Sequence, residues 1–271
     1  MTKPASSPYL PTDDPSVYES TELANAGWYD EGQHGGALAA LVAGHVEDLP
    51  TLTPMQVTRF TLEIFRVVPL VPLTIETSIV REGKKIQVIE ARVLSDGREL
   101  SRAHVQRLRL AEVGLPPNVE ETPTTLPLPA DLVSLDTSTW GIGPHDKPMF
   151  HRHAIEVREA VGGFDIPGPG AVWIRLVDQI IDGRPNTPLQ RLLAISDFCN
   201  GISRFDTGPD WLFMNPDLSV NINRLPRGEW VALDAVSEYS GIGRGMASGT
   251  LWDEISYLGR STQTLYLDRS G

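Results

Sequence analysis

The sequence predicts an α+β protein made of two diverged repeats, each a long antiparallel sheet wrapped around one central helix. Two apolar runs, Ala37–Val46 and Leu189–Phe198, each follow a helix-opening signal and each is succeeded by several long strand-like runs. The first run is apolar on nearly every side, as befits a helix enclosed by a sheet rather than laid on a surface. A proline-rich stretch divides the two sets of elements.

In the first repeat, Val57–Phe65 alternates, with Phe60, Leu62 and Ile64 on one face and Thr61 and Glu63 on the other. Leu73–Arg81 follows, then a Glu82-Gly83-Lys84 turn, then Ile86–Leu94. Asp96-Gly97 is a two-residue hairpin signal leading into Leu100–Leu110. From Glu112 to about Pro148 the composition shifts to Pro, Thr and Asp, which reads as a surface linker. The second repeat keeps the order: strands at Ala154–Arg158 and Val172–Val177, the helix opened by Asn186-Thr187-Pro188, then strands at Leu218–Arg224, Trp230–Tyr239, Arg244–Trp252 and Ser261–Leu267. Arg66 before Pro69 and Arg224 before Pro226 hold similar places, as do Gln106 and Gln263 in the last strand of each repeat. The expected organisation is a flexible arm (1–15), a first domain (16–112), the linker (113–148) and a second domain (149–271).

The 271 residues suffice for two ordinary cores, and 41% apolar with 21% charged residues is a globular balance. A net charge of −12 argues against nucleic acid as a partner, although a local cluster such as Arg81, Lys84 and Lys85 can still meet a phosphorylated small ligand. The single cysteine, Cys199, excludes an intrachain disulfide framework and favours a reducing, cytoplasmic setting. No apolar stretch approaches the length of a membrane span, and Met1–Ser16 lacks the apolar core of a signal peptide. The six histidines and one cysteine show no metal-ligand spacing, and His151 and His153 fall in a linker-to-strand region. Gly241-Ile242-Gly243-Arg244-Gly245 opens a strand, so it reads as glycines easing sheet curvature and not as a dinucleotide loop. No Gly-x-Ser-x-Gly elbow occurs.

The repeats differ where chemistry would sit. Gln33-His34-Gly35-Gly36 gives the first helix a glycine-rich start, but the step that reaches Asp197 in the second helix reaches Ala43 in the first. With the helices antiparallel, one complete site and one blank site result. His34 is read as capping the helix or lining the pocket.

Gly27-Trp28…His34-Gly35-Gly36, Ile195-Ser196-Asp197-Phe198, Asp217-Leu218-Ser219…Arg224, Arg244-Gly245…Gly249 and Ser261-Thr262-Gln263 stand in an order and spacing that resembles the double hotdog fold of acyl-CoA thioesterases of the thioesterase II (TesB-like) type. The resemblance spans about Gly27 to Asp268. It implies hydrolysis of an acyl-CoA ester to a free acid and coenzyme A, without a cofactor. It also implies that Asp197 and Gln263 hold the hydrolytic water together with a Thr or Ser on the strand after the second helix. Counting back from Arg224 puts Asn215 at that hydroxyl position, with Ser219 the nearest hydroxyl; Asn can also donate and accept. Gly35 and Gly36 of the first repeat would then face Asp197 of the second, their N–H groups receiving the charge that builds on the carbonyl oxygen. Gln33, His34 and Arg81 complete the expected substrate contacts. Asp197 would act as general base or attack directly; both routes stay open.

Two other readings compete. A hydratase or dehydratase of this fold would carry a His five residues after the acid, where this chain has Ile202. A non-catalytic acyl-CoA binding protein would keep the cleft and lose the chemistry, with Asn215 as the mark of that loss. Association into a dimer or tetramer through sheet faces or edges is the expected quaternary arrangement.

Overall fold

The computed structural model describes residues 6–27, 32–138, 140, 146–164, 166–205 and 211–269. Trp28 of the resemblance motif and the first five residues of the expected arm lie outside them.

The chain forms strands β1 (Tyr9–Pro11) and β2 (Val17–Ser20), helix α1 (Gly35–Glu47), and strands β3 (Met55–Ile64), β4 (Leu73–Arg81), β5 (Ile86–Ser95) and β6 (Arg98–Arg109). The second half holds a short helix α2 (Phe150–His153), strands β7 (Ile155–Gly163) and β8 (Ile166–Leu176), helices α3 (Pro188–Ser196) and α4 (Cys199–Ile202), and strands β9 (Trp211–Met214), β10 (Asp217–Ile222), β11 (Val231–Ser240), β12 (Arg244–Trp252) and β13 (Tyr257–Arg269). The strands join in one sheet of order β1-β2-β4-β5-β6-β3-β10-β13-β12-β11-β8-β7, with β9 pairing β13 off this path. The seam between the halves is the antiparallel β3/β10 pair, where Leu62 faces Leu218 and Phe60 faces Val220, all fully buried.

Each element has a local cause. Helix α1 starts where the His34 side chain accepts from the Gly36 N–H, and it ends where the buried Arg107 donates to the carbonyls of Val46 and Leu49. Helix α3 opens on a capping box, with Thr187 accepting from Gln190 N and the Gln190 side chain accepting from Thr187 N, and with Pro188 in the first turn. The β5–β6 hairpin turns at Asp96 (φ 48°) and Gly97 (φ 72°), the two positive angles that a type I′ turn requires. Because α1 is buried along its whole length, both it and the concave sheet face contribute to one continuous apolar core.

The two central helices run antiparallel in close contact. A Cβ at Gly36 would meet the Ala194 carbonyl oxygen at 2.3 Å, and one at Gly44 would meet Gln190 Nε2 at 2.5 Å. Counted from the N-caps His34 and Thr187, Gly44 stands where Asp197 stands in the other half, one place along from the expected Ala43. The blank site is therefore filled by the Gln190 side chain, which donates to Ala40 O.

The structure departs from the expected loose arm in residues 6–15. Tyr9 is fully buried, β1 pairs β2, and the Tyr9 backbone bonds to Ile180 O and Asp182 N on the loop before α3. Three- and four-residue strands broken by Pro, Ser and Asp carry too little periodicity to be read from sequence. The Tyr9 hydroxyl donates to Gln33 Oε1 at 2.7 Å, which ties this hairpin to the start of α1. Replacing Tyr9 by Ala empties that space, so Tyr9→Ala is expected to cost about 3–5 kcal/mol, the range for a large buried ring. Urea unfolding monitored by circular dichroism measures it; a loss below about 1 kcal/mol would mean that the hairpin is dispensable.

Candidate active site

Asp197 closes α3 as its C-cap rather than lying inside the helix. Its carboxylate points into the start of α1 and collects donors from both halves of the chain. Gly36 N–H reaches Oδ2 at 2.8 Å, Asn215 Nδ2 reaches Oδ1 at 2.8 Å, and Gln263 Nε2 reaches Oδ1 at 2.7 Å. Burial pushes the Asp197 carboxyl up to about 6, against the pull of these three hydrogen bonds. The C-terminal end of α3 disfavours the negative charge, whereas the N-terminal end of α1 favours it.

Gln263 is a clamp. Its Nε2 donates to both the backbone oxygen and the carboxylate of Asp197, and its Oε1 accepts from Asn200 N at 3.1 Å. Both of its N–H groups thus hold the acid rather than a water. Tyr239 adds a bond to Asn200 Oδ1 at 3.1 Å. Asn215 sits at the kink between β9 and β10, where its amide also reaches Asp217 O.

His34 lies with Nδ1 3.3 Å from Asp197 Oδ2. The Gly36 N–H points between the two, 3.0 Å from Nδ1, so Nδ1 is a lone-pair nitrogen and the proton resides on Nε2. Burial pushes the ring down to about 3, so the contact is with a neutral imidazole and is not an ion pair. Phe198 and Phe150 flank the ring, at centroid distances of 4.7 and 5.0 Å.

Asp197, Asn215, Gly35, Gln33 and His34 line a cavity of about 390 Å³. Its mouth includes the exposed Phe65, Arg66, Val67 and Arg204, and its interior includes the buried Ala26, Leu38, His151 and Phe198. Gln33 contributes bulk but not a free amide, since Oε1 accepts from Tyr9 and Nε2 donates to Ser20 and Pro69. A Cβ at Gly35 would fall 2.8 Å from Asp197 Oδ2, so the group that needs glycine here is the acid itself. Gly36 N–H is taken up by Asp197 and His34, which removes it from the expected pair of oxyanion donors.

Three sequence expectations are corrected. Ser219 faces away from Asp197: on β10 the buried Leu218 and Val220 point to the core and Ser219 alternates to the other face. Arg81 ends β4, eight residues and roughly 26 Å of strand beyond Leu73, and it does not line the cavity. Gln106 is not the counterpart of Gln263. Thr61 pairs His104 as Ser219 pairs Thr262, so Val105 stands in the place of Gln263 and Gln106 turns outward. His151, Asn200, Arg66 and Arg204 line the cavity without having been singled out for it; only Arg66 carried a hint, in its likeness of position to Arg224.

The long antiparallel sheet around two antiparallel central helices is the double hotdog fold, and the chain belongs to the acyl-CoA thioesterase family. Residues 25–108 match the acyl-CoA thioesterase N-terminal domain and residues 123–267 the C-terminal domain. Among solved structures, a putative thioesterase from Novosphingobium aromaticivorans is 22% identical, with 96% of this chain and 98% of that chain covered at a TM-score of 0.68. A putative thioesterase II from Thermobifida fusca is 15% identical, with 97% and 96% covered at 0.72. The acyl-CoA thioesterase II TesB2 of Mycobacterium marinum is 16% identical, with 96% of each chain covered at 0.64. These three share the fold with this chain. No curated protein matches it.

Removing the Asn215 amide leaves Asp197 Oδ1 with one donor fewer. Asn215→Ala is therefore expected to move the Asp197 titration above its value of about 6. A carbon-13 carboxyl NMR titration of both chains reads this directly, and an unmoved midpoint would show that the bond does not hold the charge.

Proposed function

We propose that this protein hydrolyses acyl-CoA thioesters to a free acid and coenzyme A, with Asp197 as the reacting carboxylate. The observation that carries the reading is the convergence on one buried acid of donors from both repeats, beside a largely apolar cavity. Asp197 Oδ1 is held by Asn215 and Gln263, while Oδ2 keeps lone-pair capacity beyond Gly36 for a water or for direct attack. A carboxyl titrating near 6 is ionised at neutral pH yet basic enough to take a proton from an attacking water.

The carbonyl oxygen then needs donors where its charge develops. His34 supplies Nε2–H, neutral and oriented by the Gly36 bond to Nδ1. The N–H of Gly35, at the first position of α1, is the second donor in this proposal. Asn215, Gln263 and Gly36 position the acid. Arg66 and Arg204 at the mouth replace Arg81 as the cations that meet the coenzyme. The hydratase reading has no support from Ile202, a fully buried apolar residue. The binding-only reading loses its main motive, because Asn215 makes a direct bond to the acid.

The test is thiol release from a panel of short, long and aromatic acyl-CoA esters. Asp197→Asn is expected to lower kcat by about 10²–10⁴-fold while thermal stabilisation by the esters persists. Undiminished hydrolysis would overturn the assignment. In the wild type kcat/KM should rise with pH and level off above about 6, since Asp197 is protonated and inactive below that value. His34→Phe keeps the ring packing and removes the donor, with an expected loss of about 10²–10³ in kcat.

A further inference from the structure

The turn of chain that follows the acid lines the cavity with a graded set of groups. Asp197 has a helical backbone, Phe198 N–H donates to Ile195 O, and Ile202 N–H donates to Phe198 O, so α3 runs into α4 in near-helical turns. Asp197, Asn200, Gly201 and Arg204 are spaced as one face of such a run, and all four line the cavity. Exposure rises along the face: the Asp197 side chain is 6% exposed, Asn200 is buried, Gly201 is half-buried and Arg204 is exposed at the mouth. At about 1.5 Å of rise per residue, Asn200 stands about 4.5 Å beyond the acid along this axis and Arg204 about 10 Å.

Asn200 carries a donor that the protein does not use. Its Oδ1 accepts from the Tyr239 hydroxyl at 3.1 Å and its backbone N–H donates to Gln263 Oε1, while Nδ2 donates to no described residue. The sealed side-chain polar atoms that lack a partner among the described residues are Arg92 Nε, Thr124 Oγ1, His151 Nε2, Arg191 Nε and Trp252 Nε1. Asn200 Nδ2 is not one of them. Although the residue is only 7% exposed, this atom therefore keeps open surface, and the space its residue lines is the cavity. Gly201 beside it adds no obstruction, since even a Cβ there would meet only the Phe164 ring, at 3.5 Å and beyond.

With the reacting carbonyl beside Asp197 and the coenzyme's phosphates beside Arg204, the part of the substrate that passes Asn200 is the pantetheine arm. Its first amide carbonyl follows the sulfur by two methylenes and a nitrogen, which sets that oxygen about one helical turn, roughly 5 Å, from the thioester. Nδ2 of an amide is a donor only, so it pairs with that carbonyl oxygen and not with the arm's own N–H. We infer that this face of α4 is the pantetheine track, with Asn200 Nδ2 donating to the first amide carbonyl of the arm and Tyr239 holding the Asn200 amide in that orientation. The inference rests on the thioesterase reading, with Arg204 at the coenzyme end, and adds a substrate-binding residue to it without altering the hydrolytic step.

Two thioesters matched in length test this: S-hexanoyl-N-acetylcysteamine, which carries the first amide of the arm, and S-pentyl hexanethioate, which lacks it. For each, kcat and KM by thiol release would be measured on the wild type, Asn200→Ala, Asn200→Asp and Tyr239→Phe, together with Kd by calorimetry in the Asp197→Asn background. The wild type is expected to prefer the amide-bearing ester by about tenfold in kcat/KM, the scale of one hydrogen bond whose partner is otherwise left unpaired. Asn200→Ala should bring that ratio to near one by raising KM for the amide ester, with kcat held. Asn200→Asp keeps an acceptor for Tyr239 and removes the donor, so it should do the same, and thermal melting confirms that it folds. Tyr239→Phe should lower the ratio part of the way. Equal use of the two esters by the wild type would overturn the inference, as would a preference that survives both Asn200 variants. An equal loss on both esters would also overturn it, because it would mean that Asn200 serves only the acid. Should neither ester be hydrolysed, the thioesterase reading falls, and the ratio of Kd values with and without Asn200 still decides whether the amide is bound there.

Discussion

The structure turns on one buried negative charge that no single half of the chain could hold. Asp197 caps the wrong end of α3 for a carboxylate, and its burial pushes its titration up. What makes ionisation accessible is the N-terminus of α1, brought to within 2.8 Å through Gly36, together with the amides of Asn215 and Gln263. That approach demands glycine at 35 and 36, where any side chain would strike Asp197 or the Ala194 carbonyl. It also demands antiparallel helices in contact, and hence the β3/β10 seam that joins the two sheets. The site and the interface between the repeats are one construction.

The same constraint reassigns roles within the site. A glycine-rich helix start beside an acid invites the reading that its N–H groups await the substrate's oxygen. Here Gly36 N–H is engaged by the acid and by His34. Gln263 likewise is too fully bonded to the Asp197 and Asn200 backbone to hold a water as well. A buried carboxylate takes up nearby donors before any ligand arrives, so a list of donors near an active acid overstates how many remain free.

Much of the fold was legible because its long elements carry clear periods. Strands β4 and β12 match their sequence ranges, α1 and α3 match within two residues, and the Asp96-Gly97 turn adopts the predicted angles. Short pieces were not legible: β1, β2, β9 and α2 have three or four residues each, and no periodicity can register over that length. Asp197, Asn215, Gly35 and His34 could be found in sequence because a helix start and a counted spacing locate them. Ser219 and Gln106 failed for a different reason, since strand side chains alternate and an offset of one residue moves a group to the opposite face. His151 and Arg204 gave no local signal, because what matters about them is which distant residues they share a cavity with.

The degenerate half explains why the duplication yields one site. At the position equivalent to Asp197 stands Gly44, and at that of Gln263 stands Val105. The opening of α3 has Thr187-Pro188 where α1 has His34-Gly35, so it offers a proline without an N–H in place of a glycine. Gln190 then fills the space a carboxylate would occupy, donating to Ala40 O while its other end closes the capping box. A second buried acid there would need its own set of donors and would otherwise destabilise the chain by several kcal/mol. With Gly44, Val105 and Pro188 in place, the second opening has no counterpart of Asp197 or Gln263; its nearest carboxylate, Glu47, accepts from the hydroxyl of the N-cap Thr187, and the Gly44–Gln190 contact packs α1 against α3.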